Sequence, residues 1–125
     1  MSLSFTYEVD SANKLLICEA TGTVSRVLEI EHMLKSIVKL AGKNQVKNVV
    51  LDDTQLIISC SKMSMTTLLL AIKEEGWLTE MKIARLINPQ DNTHNLVGEM
   101  SERYNLPIKN FDSRSDAMMW LLFNI

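Results

Sequence analysis

From residue 25 onward, amphipathic helical stripes alternate with short strand-like apolar runs, and this alternation constrains the fold most. Val27, Ile30, Leu34, Ile37, Val38 and Ala41 recur at the three-to-four spacing of a helix face. "VKNVVLDD" then reads as a short, largely buried strand ending in two acids. A second helix is predicted from about Met63 to Lys73, with Gly76 near its end. "KIARLIN" is the next strand, stopped by Pro89. Leu96, Val97, Met100 and Tyr104 make a third helical stripe, "PIKNFDS" a last short strand, and "DAMMWLLF" a final helix.

Ahead of this alternation, "SFTYEV" places Phe5, Tyr7 and Val9 on one side, and "LLICEATGTV" returns after the turn-forming "DSANK". Residues 4 to 24 therefore read as a hairpin, with Gly22 at its end or at a bulge. The predicted order is β-β-α-β-α-β-α-β-α. It implies one α/β domain over residues 1–125, with a mixed, mostly parallel central sheet. Helix starts are assigned to Ser25, to Ser61 or Ser64, to Asn92 or Thr93, and to Ser113 or Ser115. Gly42 is assigned the stop of the first helix.

Composition removes several function classes. With 46% hydrophobic and 22% charged residues, a chain of 125 can bury roughly two-thirds of its unfolded surface without disulfides or metal. A net charge of −2 offers no basic excess for a phosphate backbone, so nucleic acid is a poor partner. The longest nearly uncharged stretch, Thr54 to Ile72, is broken by Lys62 and rich in Ser and Thr, unlike a membrane span. "MSLSFTYEVD" carries neither a basic nor an apolar leader segment, which predicts a cytoplasmic protein with Cys18 and Cys60 as free thiols. The four glycines are isolated, and no CxxC, HExxH or GxSxG motif is present. No cofactor and no metal is expected.

The element order resembles the STAS domain, the fold of anti-sigma-factor antagonists typified by SpoIIAA. Within it, the chain is most similar to the SpoIIAA-like, or STAS/SEC14, branch. The residues that carry the likeness are the run from Lys82 to Leu122, above all Phe111, Ser113, Ala117, Trp120 and Leu121. "LLICEATGTVS" and "KNVVLDDT" resemble the second strand and the acid-ended central strand. Beside the resemblance stands a packing reason. Ser113 can cap the last helix, while Ala117, Trp120 and Leu121 share a helical face below Phe111.

The resemblance directs attention to "LDDTQLIISCSKMSMTTLLL", residues 51 to 70. In STAS antagonists a Ser or Thr at this helix entrance is phosphorylated. Ser64 falls nearest that position, with Ser61 and Thr66 as other registers. The usual preceding acid and following glycine are missing, so a capping role competes with the switch. Asp52 and Asp53 are neighbours on a strand and point to opposite faces, which argues against one shared carboxylate site and for an acid that satisfies loop backbone. Cys60 near a helix start would need a base, and neither His32 nor His94 lies in a nucleophile motif.

The eight methionines read first as core filling, and second as the wall of a small apolar pocket with its mouth near "LIISC" and "MSMTTLLL". The expected function is a non-enzymatic regulatory or protein-binding module. It is expected to act through the loop and helix at about residues 56–75, with Asp52, Asp53, Leu56, Ile58, Cys60, Met63, Met65 and Leu69 as the surface. A carrier of a small apolar, lipid-like ligand is the alternative implied by the SEC14 side, and a phosphoswitch at Ser64 is the third reading. A homodimer is compatible with all three.

Overall fold

A computed structural model describes residues 2–125. Its elements run β1 (Ser4–Asp10), β2 (Leu15–Val24), α1 (Val27–Lys43), β3 (Asn48–Ile58), α2 (Lys62–Glu75), β4 (Lys82–Leu86), α3 (Asn92–Arg103), β5 (Ile108–Phe111) and α4 (Arg114–Phe123). This is the predicted order. The five strands lie in the sheet in sequence order, β1 antiparallel to β2 and every other pair parallel.

Sequential parallel strands joined by crossovers of one hand place their helices on one face. Accordingly α1, α2 and α3 contribute Ile37, Leu69 and Val97 to a single large core against Leu16, Val49 and Ile83. That leaves the opposite face for the last helix. There α4 packs Ala117 and Leu121 on Leu15, Val50, Ala84 and Leu86. The stripe read in the sequence around Phe111 and Trp120 belongs to this second layer, with the two rings 5.7 Å apart.

Several predicted boundaries move, each for a visible reason. β3 does not stop at the paired acids but continues to Ile58. It does so through a bulge: Glu19 pairs with Asp52 and Thr21 with Gln55, so Asp53 and Thr54 together face Ala20. Asp52 holds the bulge by accepting hydrogen bonds from the Thr54 backbone N–H (3.0 Å) and hydroxyl (2.6 Å). The inserted residue returns Leu56 and Ile58 to the same core face as Leu51.

α1 begins after Arg26 with no side-chain cap, so Ser25 is not its cap. The helix also runs past Gly42. Its stop is Gln45 in the left-handed conformation (φ 55°), with Val46 N–H returning to the Ala41 carbonyl. α3 is capped by Asp91, one or two residues ahead of the predicted Asn92 or Thr93. Ser113 caps α4 as expected. Gly22 lies within β2 at φ 97°, and a Cβ there would overlap the carbonyl oxygen of Ser2. Only glycine meets both conditions.

Candidate functional site

The C-terminal ends of the parallel strands carry two constellations, one exposed at the start of α2 and one buried under the start of α3. At the first, β3 ends at Ile58 and the Ser59 N–H bonds to the Val24 carbonyl (2.7 Å), tying the exits of β3 and β2 together. Ser61 is extended (φ −67°, ψ 155°) and its Oγ accepts from the Ser64 backbone N–H at 3.1 Å, the geometry of a helix N-cap. The Ser61 hydroxyl donates to Ser64 Oγ at 2.9 Å. Thr66 and Thr67 donate back to the carbonyls of Lys62 and Met63. Every hydroxyl of this turn is thus engaged locally.

The expected surface divides here. Leu56, Ile58, Met65 and Leu69 are buried core residues and present nothing to a partner. Their positions follow from the bulge and from the inward face of α2. Met63 (79% exposed) on α2 and Ile57 (57%) near the end of β3 point outward instead. Cys60 is half-buried with its Sγ 3.9 Å from the Val24 carbonyl. Burial first, and then the Glu29 carboxylate, push its thiol pKa up, the reverse of an activated nucleophile. Cys18, beneath the sheet's helical layer, is pushed up to about 12 by burial and by Asp53.

The second constellation starts from strand parity. Asp53 on β3, Arg85 on β4 and Asn110 on β5 all face the helical layer, and Arg85 and Asn110 are direct cross-strand partners. Asp52 points the other way, as the alternation requires. Asp53 is 2% exposed and accepts from Arg85 Nε at 2.9 Å. Arg85 Nη1 donates to Asn110 Oδ1 at 2.9 Å, and Arg85 Nη2 donates to His94 Nδ1.

His94 enters from the first turn of α3, where Asp91 caps its backbone N–H at 3.0 Å. Its Nε2–H donates to the Leu56 carbonyl at 2.8 Å. With an arginine N–H on one nitrogen and a carbonyl on the other, the ring is a neutral imidazole protonated at Nε2. Asn110 Nδ2 closes the circuit on the His94 carbonyl at 2.7 Å. Gly98 permits it, since a Cβ there would overlap the Asn110 amide.

This network binds three strands and a helix together, and its groups are committed. Both ring nitrogens of His94 and three nitrogens of Arg85 already have partners. The exception is Asp53 Oδ1, which is buried without a hydrogen bond. Burial raises the Asp53 pKa, and the Arg85 guanidinium pulls it back only in part. Beside it lies a cavity of about 40 Å³, walled by Leu34, Leu51, Leu56, Met65, Leu69 and the Asp53–Arg85 pair. That is room for roughly two or three waters, far below the roughly 300 Å³ at which small-molecule sites begin. The pocket expected near residues 56 to 70 exists, but a lipid chain does not fit.

The two acids therefore divide the roles: Asp52 accepts from backbone, at the bulge, and Asp53 is not on the surface but is half of a buried ion pair. Sequence reasoning missed Arg85 and Asn110, and it left His94 at a helix opening without a partner. The available signal was the charge in "KIARL". Arg85 sits between Ala84 and Leu86 in a buried strand, and a buried guanidinium requires an acid. Among the described residues no cluster of His, Cys, Asp and Glu is placed to hold a metal ion, and no helix is long and apolar enough to cross a membrane.

No family model and no curated protein matches the sequence. Solved structures do match the fold. An anti-sigma factor antagonist from Mycobacterium paratuberculosis superposes with a TM-score of 0.57 at 13% identity, covering 94% of each chain. An uncharacterized protein from Shewanella loihica with a SpoIIAA-like fold superposes with a TM-score of 0.57 at 18% identity, covering 95% of this chain and 93% of the other. The chain has the STAS, or SpoIIAA-like, fold.

Proposed function

We propose that this domain is a non-enzymatic, cytosolic regulatory module that binds a protein partner through the entrance of α2. One observation carries the reading. Ile57, near the end of β3, and Met63, in the first turn of α2, are two large apolar side chains that stand exposed within a few residues of the Ser61 cap. Exposed apolar anchors on fixed elements suit protein recognition. Chemistry is poorly supported. The two thiols are raised in pKa, the histidine of the network has no free nitrogen, and the internal cavity is too small for a substrate. The likeness to an anti-sigma factor antagonist supports the same reading at the level of fold.

The test is affinity capture followed by binding measurements on the purified captured protein. Ile57→Asp with Met63→Asp should weaken that binding about a hundredfold, since each removes a buried anchor worth roughly 1–2 kcal/mol. Equal binding by variant and wild type would sink the proposal.

A phosphoswitch at Ser64 is a second reading, favoured by the place of Ser64 in the first turn of α2, next to the exposed Met63 and bonded to the Ser61 cap. A phosphate there would add about −1.5 to −2 charge to the apolar entrance. Ser64→Asp should then reduce binding of the same partner while Ser64→Ala retains it. Equal binding by both variants removes the switch and leaves the surface.

A further inference from the structure

The sheet has two edges, and they are finished differently. β5 is four residues long, follows Pro107, carries Lys109, and is flanked by α3 and α4. Shortness, proline and lysine are the devices that keep a further strand from adding to an edge. β1 has none of them. It runs seven residues, Ser4–Asp10, without Pro, Lys or a register shift, and every residue in it is exposed or only partly buried. That leaves roughly 24 Å of backbone with one side unpaired. Phe5, Tyr7 and Val9 pair across β2 with Ala20, Cys18 and Leu16, so they share the helix-side face. Phe5 packs on the core and stacks with Tyr7, while Tyr7 (52%) and Val9 (37%) lie open.

We propose that β1 pairs antiparallel with β1 of a second copy of this chain, about a two-fold axis through Tyr7, to make one continuous sheet. The sequence of the strand is what selects this occupant. Counted outward from Tyr7, both directions read polar, apolar, polar: Thr6, Phe5, Ser4 one way and Glu8, Val9, Asp10 the other. A two-fold axis at that point sets Phe5 against Val9 and Tyr7 against Tyr7 on the apolar face. On the polar face Glu8 meets Thr6 and Asp10 meets Ser4. Aromatic and β-branched side chains are favourable cross-strand pairs, and neither acid directly faces another. An axis at Glu8 would oppose two glutamates and shorten the pairing. An interface related by two-fold symmetry must complement itself in this way. The surface shares no residue with the α2 entrance, so this inference does not rest on the proposed function.

Sedimentation equilibrium from micromolar to millimolar protein tests it. The expected species has twice the 14.2 kDa chain mass. Tyr7→Lys, which sets two ammonium groups opposite each other on an exposed position, should raise the dissociation constant at least tenfold while circular dichroism stays native. In a Cys18→Ala, Cys60→Ser background, which removes the thiol directly across β2 from position 7, Tyr7→Cys should oxidise to a cross-linked dimer and Lys109→Cys, on the other edge, should not. A monomer at every concentration overturns the proposal. So does a dimer that survives Tyr7→Lys, or one that Met63→Asp dissolves instead.

Discussion

The entrances of α2 and α3 sit at the same end of one sheet and are built from opposite materials. At α2 a serine caps the helix, small hydroxyls bond to their own turn, and Met63 and Ile57 face solvent. At α3 an aspartate caps the helix, and the histidine of its first turn passes inward to an arginine buried on a strand. The first can change its surface without disturbing the core. The second has almost no surface, and any change in it must be absorbed by β3, β4, β5 and α3 together. Freedom to vary the surface therefore belongs at α2 and rigidity at α3.

The comparison breaks most sharply on Arg85. Arg85→Met leaves the Asp53 carboxylate buried and unpaired, and should cost about 3–5 kcal/mol in chemical denaturation. Adding Asp53→Leu to Arg85→Met should restore part of that stability, because it removes the unpaired charge while His94 Nδ1 and Asn110 Oδ1 stay without their donor. A single-variant loss below about 1 kcal/mol would mean the network is not the rigid half of the molecule.

The thiols sharpen the same contrast. Cys18 lies near Asp53 and its pKa is raised to about 12, against 9.0 ordinarily. A raised folded-state pKa contributes stability that is whole below pH 9 and is lost as pH climbs toward 12. From pH 9 to 10 this loss should be about 1 kcal/mol, and Cys18→Ala should remove that part of the slope. In native protein at pH 8, alkylation should mark Cys60 and spare Cys18 until denaturant is added.

The smallest effects belong to the α2 entrance. Ser61→Ala removes the cap and should cost about 1 kcal/mol. Ser64→Ala should stay within about 0.5 kcal/mol, since it keeps the backbone N–H bond to the cap and loses only an exposed hydroxyl contact. A larger loss at Ser64 than at Ser61 would reverse the assignment.

How far the sequence discloses each region follows from the range of the interactions involved. The order of strands and helices is a local pattern and stands in the structure as read, and of the cap candidates Ser61 and Ser113 are the ones used. The stop of α1 was misplaced because Gln45 adopts a left-handed conformation that glycine usually fills. The network was not legible as a unit, since Asp53 and Arg85 are 32 residues apart and Arg85 and Asn110 are 25 apart. Only strand pairing makes them neighbours. Even so, Arg85 inside an apolar strand advertised that a partner had to exist.

The bulge at Asp53 and Thr54 has one more consequence. Upstream of it the odd-numbered residues of β3 face the helices, as Val49, Leu51 and Asp53 do, and downstream the even-numbered Leu56 and Ile58 take over. The strand is two half-strands in opposite phase. A two-residue periodicity summed along it cancels, so its amphipathic signal is hidden from any pattern that assumes one continuous rhythm. Deleting Thr54 alone would bring the halves into phase, with Asp53 opposite Ala20, Leu56 and Ile58 still on the helix face and Ile57 still on the other. The bulge, by absorbing one residue, thus decides which side chains of this strand the molecule shows to the outside.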